Sequence, residues 1–167
     1  ESVPGQGSLF RLYLARITPT GHVAAMVDTQ EERGRGERIL LVDDEPTLVV
    51  LGTEMLEELG YQVRGCTSSN EAWEIFAATP EAFDLVITDM AMPHLTGAEF
   101  AQRVLALRPR TPIILCTGYS DAINEEEARR MGIRAYLLKP LSMIKMAEEI
   151  RRVLDPGATG VLTERDR

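Results

Sequence analysis

The fold is decided by one stretch of sequence, Leu85-Val86-Ile87-Thr88-Asp89, in which four uncharged residues lead directly to a carboxylate. A short run of this kind is typical of a strand that is buried on both faces. Similar runs predict four further strands at 39–42, 62–66, 113–116 and 135–138. Apolar residues at helical spacing between and after these runs predict five helices. The alternation indicates an α/β fold with a single doubly wound, five-stranded parallel sheet.

Polar residues stand where four of the five predicted strands end. Asp43 and Asp44 follow the first strand, and Asp89 ends the third. Thr117 follows the fourth strand, and Lys139 follows the fifth. Because the carboxyl ends of parallel strands meet at one crevice of an open α/β sheet, we expect these side chains to form one site.

The chemistry of this predicted site follows from its charges. Carboxylates that are crowded together repel one another unless a cation lies near them. Mg²⁺ prefers oxygen ligands, and the Lys139 ammonium would add positive charge. The polar positions at which the strands end include no cysteine, no serine–histidine pair and no cluster of zinc ligands. Each residue alone also fits a structural role, such as a helix cap. Together they favour a carboxylate nucleophile beside a metal ion, which suits transient formation of an aspartyl phosphate.

Residues 38–155 resemble the receiver domain of response regulators over essentially its full length. The matching elements are Leu41-Val42-Asp43-Asp44-Glu45, Asp89-Met90-Ala91-Met92-Pro93 with Gly97, Thr117-Gly118, and Lys139-Pro140. The resemblance implies a flavodoxin-like sheet with strand order 2-1-3-4-5. It also implies that the chain works in two-component phosphorelay signalling.

The resemblance assigns a role to each residue of the site. Asp89 is the implied acceptor of a phosphoryl group from a phosphohistidine. The implied Mg²⁺ ligands are Asp44, Asp89 and the backbone carbonyl of Ala91, with Asp43 acting mainly through water. No other cofactor is implied. Lys139 is expected to pair with the phosphoryl group.

The resemblance also implies a conformational switch and one unusual peptide bond. Thr117 would move toward the phosphoryl oxygen and let Tyr136 rotate inward. The surface around the helix predicted at 121–131 and the fifth strand would then change. The bond between Lys139 and Pro140 is expected to be cis.

The residues before the receiver segment carry a second resemblance. The run Pro4-Gly5-Gln6-Gly7-Ser8-Leu9-Phe10-Arg11-Leu12-Tyr13-Leu14 is similar to the end of a histidine-kinase ATP-binding domain. We therefore interpret 1–16 as a remnant of that domain, 17–37 as a linker and 156–167 as a C-terminal tail. A tail with one amphipathic strand is the alternative for 1–16. In the first interpretation the chain is the C-terminal receiver of a hybrid sensor histidine kinase, and a phosphoacceptor rather than a free-standing enzyme.

The composition of the chain argues against two classes of partner, nucleic acids and membranes. A net charge of −8 argues against binding to the phosphate backbone of nucleic acids. Neither a leader nor an apolar run of membrane-spanning length is found, so we expect a cytoplasmic chain without membrane contact. The implied partner is a phosphohistidine donor, either a histidine-kinase or a phosphotransfer domain. A second copy of the chain, forming a homodimer, is a further possible partner.

Two other functions remain as alternatives. A pseudo-receiver, which signals without phosphate, typically lacks one of the acidic or lysine positions, and all of them are present here. A phosphatase of the haloacid dehalogenase type would also use an aspartate nucleophile with Mg²⁺. That family places two aspartates separated by one residue after the first strand, whereas Asp43-Asp44-Glu45 follows it here.

Overall fold

The computed structural model describes residues 2–3, 7–8, 33–118 and 130–155. Five strands form the main sheet: β1 (Arg38–Val42), β2 (Gln62–Cys66), β3 (Leu85–Asp89), β4 (Ile113–Thr117) and β5 (Ala135–Leu138). Four α-helices are described: α1 (Pro46–Glu58), α2 (Ser69–Ala78), α3 (Gly97–Leu107) and α4 (Met143–Leu154). Pro80–Ala82 forms a turn of 3₁₀-helix, and Ser2–Val3 pairs with Gly7–Ser8 in a separate antiparallel ladder. Within these residues no helix is long and apolar enough to cross a bilayer.

The main sheet confirms the predicted topology. All four strand pairings are parallel, and the strands lie in the order β2-β1-β3-β4-β5. Every predicted strand is found within one residue of its predicted bounds. Four of the five predicted helices are present. Most of the remaining one, predicted at 121–131, lies outside the described residues.

The continuously apolar strands are explained by a core on each face of the sheet. In β1, Leu40 and Val42 face the helices α2 and α3, whereas Ile39 and Leu41 face α1 and α4. Strand β4 divides its residues between the two cores in the same alternating way. Neither face of a central strand meets water, so apolar and polar residues do not alternate along it. The sequences of these strands are accordingly apolar without interruption.

Local signals determine where the helices begin. Pro46 occupies the first turn of α1, where its missing N–H has no helical partner to lose. The Ser68 side chain accepts a hydrogen bond from the Glu71 N–H at the start of α2. Helix α3 begins with a full capping box, in which Thr96 and Glu99 each bond the other's backbone N–H. The sequence pattern Thr-x-x-Glu carries this signal.

Gly97 allows α3 to start directly against the end of β3. A Cβ atom at this position would overlap the backbone carbonyl oxygen of Asp89 and lie 3.1 Å from Leu115 Cδ2. The Gly97 N–H also donates to the Met90 carbonyl at 3.0 Å. The glycine at this position of the receiver motif therefore has a steric explanation, because the space beside Asp89 leaves no room for a side chain.

We expect Gly97→Ala to lower the free energy of unfolding by about 1–3 kcal/mol, because the added methyl group must push backbone aside. Urea unfolding followed by circular dichroism measures the change. Gly52→Ala is the matched control, since its added methyl group would meet only the flexible end of Leu41. An alanine in α1 also gains helix propensity. Equal losses in the two variants would contradict the steric explanation.

Candidate functional site

The register of the sheet brings the predicted site residues to one edge. Val42 pairs with Thr88 across β1 and β3, so Asp43 lies level with Asp89. Three backbone hydrogen bonds continue the ladders beyond the strand ends: Asp43 N–H to Cys66, Met90 N–H to Cys116, and Lys139 N–H to Thr117. The backbone that carries the polar side chains is therefore held by the sheet itself.

The centre of the site is an ammonium group between two carboxylates. Lys139 Nζ lies 2.7 Å from Asp43 Oδ2 and 2.5 Å from Asp89 Oδ1. Both aspartates are 5% exposed. Two carboxylates so close and so poorly hydrated would repel each other strongly without a shared cation. The three side chains therefore form one charge cluster, which we call the Asp–Lys–Asp cluster.

Lys139 carries its charge in this cluster. Burial acts against the charged form, but the hydrogen bonds to Asp43 and Asp89 outweigh burial and raise the pKa of the lysine. The ammonium is thus protonated at neutral pH and well above it. It offsets one of the two negative charges that it contacts.

The second oxygen of each aspartate is held by backbone. Asp43 Oδ1 accepts from the Glu45 N–H at 3.0 Å, and Asp89 Oδ2 accepts from the Ala91 N–H at 2.9 Å. In both cases a carboxylate bonds the N–H two residues ahead, which is the Asx-turn arrangement. Each carboxylate is therefore oriented from two sides, by the lysine and by its own turn. The Glu45 N–H was missed in the sequence analysis, although an aspartate directly after a strand is a signal for such a turn.

The remaining predicted metal ligands lie at the outer side of the cluster. The side chain of Asp44 is exposed, and Ala91 is exposed in the loop that follows Asp89. Among the described residues no three acidic, histidine or cysteine side chains are placed to hold a metal ion together. The donor chemistry nevertheless suits Mg²⁺, because three carboxylates and one ammonium leave two negative charges in excess at this edge.

The two predicted switch residues lie on neighbouring strands. Thr117 is buried at the end of β4 and pairs with Leu138. Tyr136 is partly buried in β5, pairs with Leu115 and packs against the core that faces α2 and α3. Most of the helix predicted at 121–131, the third element of the predicted switch, lies outside the described part of the chain.

The nearest thiol does not compete with Asp89 as a nucleophile. Cys116 pairs with Asp89 across β3 and β4 and is buried. Burial raises its pKa to about 12, so at neutral pH the unreactive thiol form dominates.

An apolar groove opens beside the cluster. It encloses about 410 Å³ and is lined by Leu48, Leu51, Gly52, Met55, Lys139, Pro140 and Leu141. The bond between Lys139 and Pro140 is cis, as expected. Leu51, which lines the groove from α1, is 49% exposed. A large apolar surface therefore lies next to the lysine that contacts both aspartates.

The comparisons with known proteins agree with this fold. The model of the response regulator receiver domain family matches residues 39–151. The chemotaxis protein CheY of Thermotoga maritima is 26% identical over 119 residues, which cover 71% of this chain and 98% of that protein. A crystal structure of a response regulator receiver domain protein from Clostridium thermocellum has a TM-score of 0.69 and 31% identity. It covers 72% of this chain and 96% of its own.

Longer relatives are matched only in part. The sensor kinase CckA of Brucella abortus is 25% identical over 163 residues, which cover 93% of this chain but 17% of the kinase. The response regulator protein PilR of Pseudomonas aeruginosa is 30% identical over 118 residues, and the match covers 26% of it. The chain thus spans about a sixth to a quarter of the length of these two proteins. By family model, sheet order and similar structures, the chain belongs to the response regulator receiver domain family of two-component signalling.

Proposed function

We propose that this chain is a phosphoacceptor and that Asp89 takes a phosphoryl group from a phosphohistidine. An Asp89 oxygen forms a bond to phosphorus while the bond from phosphorus to the histidine nitrogen breaks, and the nitrogen keeps that electron pair. The observation that carries the proposal is the buried Asp89 carboxylate, oriented by the Ala91 N–H and by an ammonium at 2.5 Å. Such a carboxylate is held in place before the reaction, and this lowers the barrier to transfer.

Lys139 has a second role in this proposal. Transfer brings a dianionic group to a position that already holds the charges of Asp43 and Asp44. An ammonium in contact with Asp89 Oδ1 can follow the charge onto the phosphoryl oxygens, because lysine is long and its ammonium can donate in several directions. Lys139 thereby stabilises the charge that develops during transfer.

Mg²⁺ is the proposed cofactor. Asp44, Asp89 and the Ala91 carbonyl would hold it, with Asp43 acting mainly through water. When bound, the ion supplies the positive charge that one lysine cannot provide for three carboxylates and an incoming phosphoryl group.

A switch completes the proposal. Thr117 ends β4 at the same edge as Asp89, so its hydroxyl can move toward the phosphoryl group. Tyr136 lies on the neighbouring strand β5 and would rotate inward in response. A local change of charge would then alter the surface around β5.

The proposed setting is a hybrid sensor histidine kinase in the cytoplasm. The similarity to CckA supports it, because a match to 93% of this chain must extend well upstream of residue 39, where the receiver family match begins. The assignment of 1–16 to an ATP-binding domain stays a prediction, since the structure describes only residues 2–3 and 7–8 of this segment. The net charge of −8 supports protein partners rather than nucleic acids.

The groove beside Lys139 is the proposed docking surface for the phosphohistidine donor. A donor must approach Asp89 from the open side of the sheet edge, and the groove adjoins that side through Lys139 and Pro140. Exposed Leu51 offers it an apolar contact. A helical segment that presents its histidine beside an apolar face would match both features.

The first experiment measures intact mass after incubation with Mg²⁺ and a small acyl-phosphate donor. We expect one phosphoryl group on the wild type and none on Asp89→Asn, because the amide is not a nucleophile. Asp84→Asn is the control, since Asp84 lies at the opposite edge of the sheet and binds Arg38. A wild type that stays unmodified with the acyl phosphate and with phosphohistidine donors would favour a pseudo-receiver. Modification that survives in Asp89→Asn would assign another acceptor.

Replacing Lys139 tests the Asp–Lys–Asp cluster. We expect Lys139→Met to lower the free energy of unfolding by about 2 kcal/mol or more at neutral pH, because two buried carboxylates lose their cation. Adding Asp89→Asn should recover part of this loss, since one of the two charges disappears. Urea titration of the four proteins yields the coupling energy. Strict additivity would contradict the direct interaction.

A substitution in the groove separates docking from chemistry. We expect Leu51→Glu to slow transfer from a histidine-phosphorylated kinase domain about tenfold or more, as loss of a central apolar contact typically does. The rate with acyl phosphate should not change. Leu107→Glu is the matched control, because Leu107 is similarly exposed on α3, away from the groove. Equal effects of both variants on transfer would remove the groove as the docking surface.

A further inference from the structure

The segment immediately before β1 is bonded to the body of the domain. Gly34 N–H donates to the Leu59 carbonyl at 2.7 Å, and Gly36 N–H donates to the Gly60 carbonyl at 3.2 Å. These bonds attach residues 33–37 to the turn between α1 and β2. The segment lies outside residues 39–151, which the receiver family model matches.

Arg151 of α4 binds this segment from the other side. Only 8% of its side chain is exposed, and its Nη2 lies 2.6 Å from Glu37 Oε1. Its Nη1 lies 3.6 Å from Asp155, and its guanidinium lies over the Tyr61 ring at 5.6 Å. Arg35 contacts the same Asp155 carboxylate at 3.5 Å. Two arginines and two acids thus join the segment before β1 to the end of α4.

The charges of this group are matched. A guanidinium that is withdrawn from water needs an acidic partner, and Arg151 has two. Burial acts against ionisation of Glu37, but hydrogen bonds from the Arg35 N–H, from its own backbone N–H and from Arg151 outweigh burial and hold its pKa below the ordinary value. The carboxylate therefore stays charged at any pH above the ordinary glutamate range, and the pairing persists under physiological conditions.

The glycines of this segment have specific places. A Cβ atom on Gly34 would lie 2.7 Å from the Tyr61 ring, so only glycine allows this close approach. Gly36 has a φ of +87°, which favours glycine. A glycine-rich, charged stretch is typical of a flexible linker, and here the same composition suits a packed turn.

We propose that residues 33–37 with Arg151 and Asp155 form a clamp, which fixes the point where the preceding chain enters the domain. That point lies at the amino-terminal edge of the sheet, because β1 starts there, and Asp89 lies at the opposite edge. On this proposal the segment assigned to a linker at 17–37 ends at about residue 32. The clamp stands independently of the proposed phosphotransfer.

Hydrogen exchange of the full chain, read residue by residue by NMR, tests the clamp. In the wild type the amides of Gly34, Arg35 and Gly36 should exchange far more slowly than an unstructured chain. In Arg151→Met they should exchange about tenfold faster or more, because a charge-assisted bond and its burial are lost. Amides of β3 and β4 should exchange no faster than the free energy of unfolding of the variant predicts.

Arg108→Met is the matched control. Arg108 binds Glu81 and the Phe83 carbonyl at the same edge of the sheet without contacting the clamp. The Arg108→Met variant should lower the free energy of unfolding without selectively accelerating amide exchange at Gly34, Arg35 and Gly36. If Arg151→Met does not fold, Glu37→Gln and Asp155→Asn remove single partners and serve in its place.

The outcomes separate the clamp from the proposed function. Phosphorylation of Asp89 by acyl phosphate should be unchanged in Arg151→Met, because the two sites lie at opposite edges. Unprotected amides at Gly34 to Gly36 in the wild type would overturn the proposal. Equal acceleration in Arg108→Met and the clamp variants would also overturn it, since general destabilisation would then explain the exchange.

Discussion

Two carboxylates lie side by side at a buried edge of this sheet only because one ammonium contacts both. Asp43 and Asp89 come from neighbouring strands, and Lys139 comes from the far strand β5. The three residues can meet only if all intervening strands are in register and the backbone after each strand is held. The close seat of α3 against the Asp89 carbonyl is part of the same requirement. Charge balance thus links the whole sheet edge, and removal of one element would disturb the rest.

The parts of the molecule that could be predicted are those that depend on local pattern. An apolar run that ends in Asp89 marks both a strand and the place where that strand leaves the core. Because the pattern recurs and parallel strands share one polar edge, the sequence predicted both the sheet and the gathering of Asp43, Asp89 and Lys139. The strand order came from resemblance, since five alternating units alone do not determine it.

The parts that could not be predicted depend on contacts between distant residues. Glu37 and Arg151 are 114 positions apart, and nothing near either residue indicates the other. The glycines and charges around Gly34 are as compatible with a free linker as with a packed turn, so composition does not distinguish the two. The capping box at Thr96 differs from these contacts, because the Thr-x-x-Glu spacing is a local signal from which it could have been predicted.

The entry of the chain at the edge opposite Asp89 has a kinetic consequence. A phosphohistidine located upstream in the same polypeptide would be a tethered reactant. Its tether would join the domain at the edge of the sheet opposite Asp89. Its effective concentration at Asp89 would then depend on the length and stiffness of the chain before the clamp. A tether too short to pass around the domain would leave the receiver to donors in other molecules, whereas a longer one would favour transfer within one chain. The length of that tether would therefore decide whether the phosphoryl group is transferred within one chain or between different molecules.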